Sequence, residues 1–200
     1  MDTTISSTTV DDLEQPDVLA RNIRVGSRIW AASQAFFFLA FFFAFLYLRA
    51  LNTNGLWRGW PHHHPSPSIA FGVAILICVL GSAAIARGAV FLVAPEMWRA
   101  TEWAALGLVL AAVGLQCAQF SSLGFGPTDA AYASVFVGWS GLFTVFLLGM
   151  CYWLATVIGD VTRAGGVPVV RAAAVEGVGF VLLVLAGVEI AAFILLYIVK

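Results

Sequence analysis

The chain's three histidines stand side by side as His62-His63-His64, and neighbouring imidazoles are where copper or zinc chemistry would be sought first. They sit in a loop between Pro61 and Pro65, and no Cys, Asp or Glu lies near enough in sequence to complete a coordination shell. Adjacent side chains cannot converge on one ion without a special turn. We read the run as a hydrated interfacial loop and assign no metal ligand. Cys78, Cys117 and Cys151 are far apart in apolar runs, with no Cys-x-x-Cys pair, and are read as packing residues.

Glu189 is the main ionisable residue deep inside an apolar stretch. It lies about eleven residues from the C-terminus, roughly 16 Å along a helix and therefore near mid-membrane. A charge at that depth costs about 2.5–3.5 kcal/mol on insertion scales, which makes it a candidate functional position. The plainer reading is a protonated Glu, or one hydrogen-bonded to a neighbouring helix or partner subunit. Gln34, Gln116 and Gln119 carry no charge but still need hydrogen-bond partners in lipid. They are expected to face the bundle interior or another subunit, and the three-residue spacing of Gln116 and Gln119 puts them on one helix face. Glu102 and Glu176 fall near helix ends and are expected to reach the headgroups or pair with nearby Arg. No expected span contains a His, so a heme ligand of that kind is missing, and the spans offer few ionisable groups for quinol oxidation or proton pumping. No catalytic and no cofactor-binding residue is assigned.

These positions must be held by membrane helices. Of 200 residues, 61% are hydrophobic and 10% charged, against about 45–50% and about 25% in a soluble domain. Five apolar stretches near 29–50, 68–94, 99–121, 131–159 and 172–199 are each long enough to cross a bilayer. The fold is expected to be all-α, a polytopic bundle of five transmembrane helices over residues 21–200 behind a flexible acidic tail, residues 1–20. The tail lacks the pattern of a cleaved signal and is expected to be retained. Short connections predict that consecutive helices are antiparallel neighbours.

Arg21, Arg24, Arg28, Arg87, Arg99, Arg163 and Arg171 fall on one side of these spans, and Arg49, Arg58 and Lys200 on the other. That asymmetry places the N-terminus in the cytoplasm and the C-terminus outside. Trp30, Trp57, Trp60, Trp98 and Trp103 lie close to span ends, as interfacial aromatics do. Pairs of small residues four apart, Ser134 with Gly138, Ala173 with Gly177 and Gly187 with Ala191, are expected to let helices approach closely. The Phe-rich run 36–45 puts aromatics on every side of its helix, to meet lipid and protein alike. A net charge of -1 with no Lys/Arg cluster argues against nucleic acid as a partner.

Several segments carry partial motifs of one known family of membrane proteins. The stretch Ser33-Gln34-Ala35-Phe36-Phe37-Phe38 is similar to the family's Ser-Glu-x-x-x-Phe helix, with Gln34 where the family has a buried Glu. Trp60-Pro61 is similar to the Trp-Pro before the next helix. Gly114-Leu115-Gln116-Cys117-Ala118-Gln119-Phe120 looks like Gly-Gln-x-x-Glu-Tyr, with Gln119 and Phe120 replacing the Glu and Tyr. Ala131-Tyr132-Ala133-Ser134-Val135-Phe136 resembles Tyr-Gly-Ser-x-Phe, but the two histidines that follow in the family are missing here. The last helix has Glu189 without the family's Trp-His-Phe-x-Asp segment.

Together these segments resemble subunit III of the heme-copper (cytochrome c) oxidases, in its short five-helix bacterial form, and the resemblance implies a divergent, non-catalytic accessory subunit of a respiratory terminal oxidase in the bacterial plasma (inner) membrane. It would stabilise the catalytic subunit I, contact other respiratory subunits and bind phospholipid, with heme and copper held by its partner. The alternatives are a subunit of a nitric-oxide reductase-type complex, or an unrelated small transporter or lipid-binding protein using Glu189.

Overall fold

Every described element is helical. The structure is a computed structural model that describes residues 15–52, 57, 66–92, 97–162 and 168–199. Its helices are α1 (Pro16–Ala50), α2 (Ile69–Leu92), α3 (Trp98–Ser122), α4 (Ala131–Thr162) and α5 (Pro168–Phe193), the last continued by a π-helical turn over Ile194–Val199. All five are long and apolar enough to cross a membrane. The chain is a multi-pass membrane protein by the length and composition of its helices. The His62-His63-His64 run and Trp60-Pro61 lie outside the described residues.

Local chemistry sets the helix ends. α1 starts at Pro16, well before the apolar stretch at residue 29, so residues 16–20 of the expected tail are helical. Proline suits this position because its missing N–H would have had no intrahelical acceptor there, and Asp17 complements the positive end of the helix dipole. α3 stops at Ser122, where Leu123 turns extended. The backbone N–H of Gly126 then donates to the Asp129 carboxylate at 2.7 Å, and the Ser134 hydroxyl donates to the Pro127 carbonyl, which ties the turn to the first turn of α4.

α5 is the central helix. It packs against α1, α2 and α4, while α3 packs against α2 and α4. In its most apolar window 56% of residues are buried, against 22% in α1. Its small residues explain this position. A Cβ on Gly179 would lie 3.0 Å from the backbone carbonyl of Ala86 on α2, and one on Gly177 would lie 3.2 Å from the Ser27 Cβ on α1. Side chains of ordinary size would hold these helices farther apart.

The expectation that consecutive helices are neighbours holds for α2 with α3, α3 with α4 and α4 with α5, but α1 packs on α5 rather than mainly on α2. α5 occupies the place between them. The connection over residues 51–68 is long enough to pass around it at about 3.3 Å per residue. α1 and α5 run parallel, because Arg24 and Glu176 pair near their starting ends and Phe38 and Gly187 share a groove farther along.

One small-residue expectation changes on the structure. Gly138 does face a neighbour, with a Cβ position 3.1 Å from the Phe41 ring, but Gly187 has nothing within 4 Å. Gly187 and Ala191 instead line an apolar groove of about 280 Å³ with Ala35, Phe38 and Trp139. Cys117, expected as a packing residue, is exposed. The Phe-rich run divides between surfaces: Phe38 and Phe45 are buried, whereas Phe36, Phe37 and Phe43 are exposed. Exposed Tyr47 and Tyr152 extend this outer apolar surface, which water would penalise and hydrocarbon does not.

Candidate functional site

The end of the bundle where α3 and α5 finish and α2 and α4 begin holds a continuous polar line inside an aromatic collar. The Gln116 amide donates to the Gln119 side-chain oxygen at 3.1 Å, and the Gln119 amide donates to the Tyr197 hydroxyl at 2.7 Å. The three-residue spacing on α3 makes the first bond, and the long-range meeting of α3 with the last turn of the chain makes the second. Both glutamines and Tyr197 are buried. Beside them the Tyr132 hydroxyl donates to the backbone carbonyl of Leu196.

Leu196 lies in the last turn of the helix, where carbonyls have no intrahelical partner and are open to other donors. Tyr132 takes one of them, so the irregular end of α5 is held by α4. Phe136 meets the Tyr197 ring edge-on at 5.8 Å, Phe193 stacks on it at 5.3 Å, and Trp57 meets Tyr132 at 5.8 Å and Phe45 at 5.2 Å. The Trp57 backbone N–H donates to the Asn52 side chain at 2.9 Å, which places this loop residue over the collar.

Glu189 stands eight residues before Tyr197, roughly 12 Å down the same helix. It is 6% exposed. Gln34 is elsewhere. Phe45, its neighbour at the collar, lies eleven residues farther along α1, roughly 16 Å. Gln34 is 1% exposed, and neither its side-chain oxygen nor its nitrogen has a hydrogen-bond partner. The structure therefore joins Gln116 to Gln119, brings Glu189 toward their end of the bundle and leaves Gln34 apart.

The opposite end carries the charges. Glu176 pairs with Arg24 at 2.9 Å. Glu102 neither pairs nor reaches the surface. It is fully buried and both carboxylate oxygens lack partners. Four residues before Glu102, at the start of α3, the Trp98 indole donates to the Ala89 carbonyl of α2 at 3.1 Å. An unpartnered carboxyl in such a place is held as the neutral acid or costs several kcal/mol.

Sequence reasoning missed Tyr197 and Gly72, whose Cβ position lies 2.7 Å from the Tyr197 ring, and it met Tyr132 only as part of a motif. Tyr197 is the only hydroxyl in the closing apolar run 190–199, and that isolation was the signal available. Among the described residues no three His, Cys, Asp or Glu side chains come together as a metal site would need. What the polar line can do chemically is bind and orient: amides and phenols donate and accept hydrogen bonds, but an amide cannot release a proton near neutral pH. Neither models of known protein families nor curated proteins match the chain.

Proposed function

We propose that this chain is a non-catalytic accessory subunit of a respiratory heme-copper oxidase, similar to subunit III, in a bacterial plasma membrane with its N-terminus in the cytoplasm. The observation that carries the reading is the burial of all three glutamines, Gln34, Gln116 and Gln119, at positions where the motifs of the resembled family carry polar residues. Their interior is polar enough to specify helix packing and lacks proton-carrying side chains at those positions. The role is therefore to hold a catalytic subunit through the exposed aromatic faces of α1 and α4 and through bound phospholipid, while heme and copper belong to the partner.

The burial of Glu189 favours a second reading, a small transporter or lipid-binding protein centred on that residue. The two are separated by removing the chain from its native cell. Under the accessory reading, membranes lacking it lose assembled oxidase, with lower heme difference bands and slower oxygen uptake. Expression of either the wild type or Glu189→Gln restores both. Unchanged oxygen uptake and heme content contradict this reading, and rescue by wild type alone moves the assignment to Glu189.

A further inference from the structure

Near the end where α1 and α5 begin and α2 finishes, three arginines from two helices line one cavity. The space is about 170 Å³ and is lined by Arg24, Arg28, Arg87, Glu176 and Phe180, among others. That volume equals about five to six waters at roughly 30 Å³ each, which suits a compact tetrahedral group. Three Arg against one Glu leave an excess of two positive charges on the lining.

Two of these arginines are already held. Glu176 fixes Arg24, whose backbone carbonyl also accepts a bond from the Ser27 hydroxyl at 2.9 Å. The Arg87 guanidinium carbon lies 4.8 Å from the centre of the Phe91 ring, a cation–π contact that restrains it without using its N–H donors. Its Nη1 is buried and has no hydrogen-bond partner. A buried charged donor left open is costly unless something completes it. The position is compatible with the membrane interface as well: Trp30 packs edge-on against Trp153 at 5.3 Å, just beyond Arg28 along α1, and tryptophans are enriched at headgroup level.

We propose that this cavity binds a phosphate-bearing anion, with Arg28 and Arg87 as free donors, Arg24 as an oriented third, and Glu176 limiting affinity while it positions Arg24. Arg is suited to the task because its planar fork donates two parallel hydrogen bonds to phosphate oxygens. Glu176 would compete with a planar carboxylate ligand for the same fork of Arg24, whereas a tetrahedral phosphate offers oxygens in several directions, one toward each helix. The phosphate can come from the headgroup of an anionic lipid or from solution. The site does not depend on whether the chain joins an oxidase.

The test uses the full chain in a mild detergent, mixed with phosphatidylglycerol and phosphatidylcholine in equal amounts, with retained lipid counted by native mass spectrometry. In parallel, inorganic phosphate is titrated and followed by tryptophan emission. The double variant R28Q/R87Q keeps the Arg24–Glu176 pair, and the single variant R87Q serves if the double variant does not fold. The proposal expects preferential retention of phosphatidylglycerol or saturable phosphate binding by the wild type. Either should fall at least about tenfold in R28Q/R87Q, the effect of one charge-assisted hydrogen bond or more.

Glu176→Gln should bind the anion at least as well as wild type, an outcome that loss of structure alone does not produce. Retention that survives millimolar phosphate identifies the lipid headgroup as the source. Phosphate binding without lipid preference identifies the soluble anion. Equal retention of both lipids with no response to phosphate overturns the proposal, as does unchanged binding in folded R87Q and R28Q/R87Q.

Discussion

Gly72 on α2 faces the ring of Tyr197 so closely that a Cβ at residue 72 would lie 2.7 Å from the ring's Cζ and 2.8 Å from its Cε1. The glycine is the space into which the last aromatic turn fits, and the hydroxyl of that same ring closes the line from Gln116 through Gln119. Gly72→Ala should therefore push Tyr197 away from Gln119 and destabilise the folded chain by about 1–3 kcal/mol, the usual cost of overpacking. Thermal unfolding in detergent measures it. Gly114→Ala, where nothing lies within 4 Å, is the control and should be close to neutral.

Tyr197→Phe removes the acceptor of the Gln119 amide without changing the ring. Combined with Gln119→Leu in a double-mutant cycle, it should give a coupling energy of about 0.6 kcal/mol and at most about 1.7, the range of interhelical hydrogen bonds in membranes. Strictly additive losses would mean that the two side chains do not act together.

Gly179→Ala should cost more than Gly177→Ala. The first places its methyl 3.0 Å from the Ala86 carbonyl oxygen, and only movement of a whole helix relieves that contact. The second meets the Ser27 side chain at 3.2 Å, which can turn aside. Unfolding temperatures of the two variants in the same detergent decide the order.

Gln34→Leu removes two buried polar atoms that have no partner in the isolated chain. Replacing an unsatisfied polar group by an apolar one of similar size should leave the isolated chain equally stable or stabilise it by about 1–3 kcal/mol. A marked loss of stability would contradict the unpartnered state.

Helix number and approximate position were legible in the sequence because a bilayer demands about 20 apolar residues per crossing, and Pro and Gly punctuate the gaps. Helix order in space was not. The placement of α5 between α1 and α2 depends on Gly177 and Gly179 meeting particular partners, and spacing of small residues alone also pointed to Gly187, which lines an open groove instead. At the site, the Gln116–Gln119 bond followed from their three-residue spacing. Tyr197 did not, because its contact with Gln119 joins residues 78 apart in sequence. The burial of Glu102 was likewise hidden, since its place near a helix end pointed to the headgroups instead.

The accessory-subunit account is tested most directly by a mild-detergent pull-down of the tagged chain from its native membrane, read by a reduced-minus-oxidised heme spectrum and by mass spectrometry of what accompanies it. The account predicts heme bands together with a heme-copper oxidase catalytic subunit, in stoichiometric amount with the tagged chain. A heme-free preparation without partners, obtained with native lipid preserved, would contradict it.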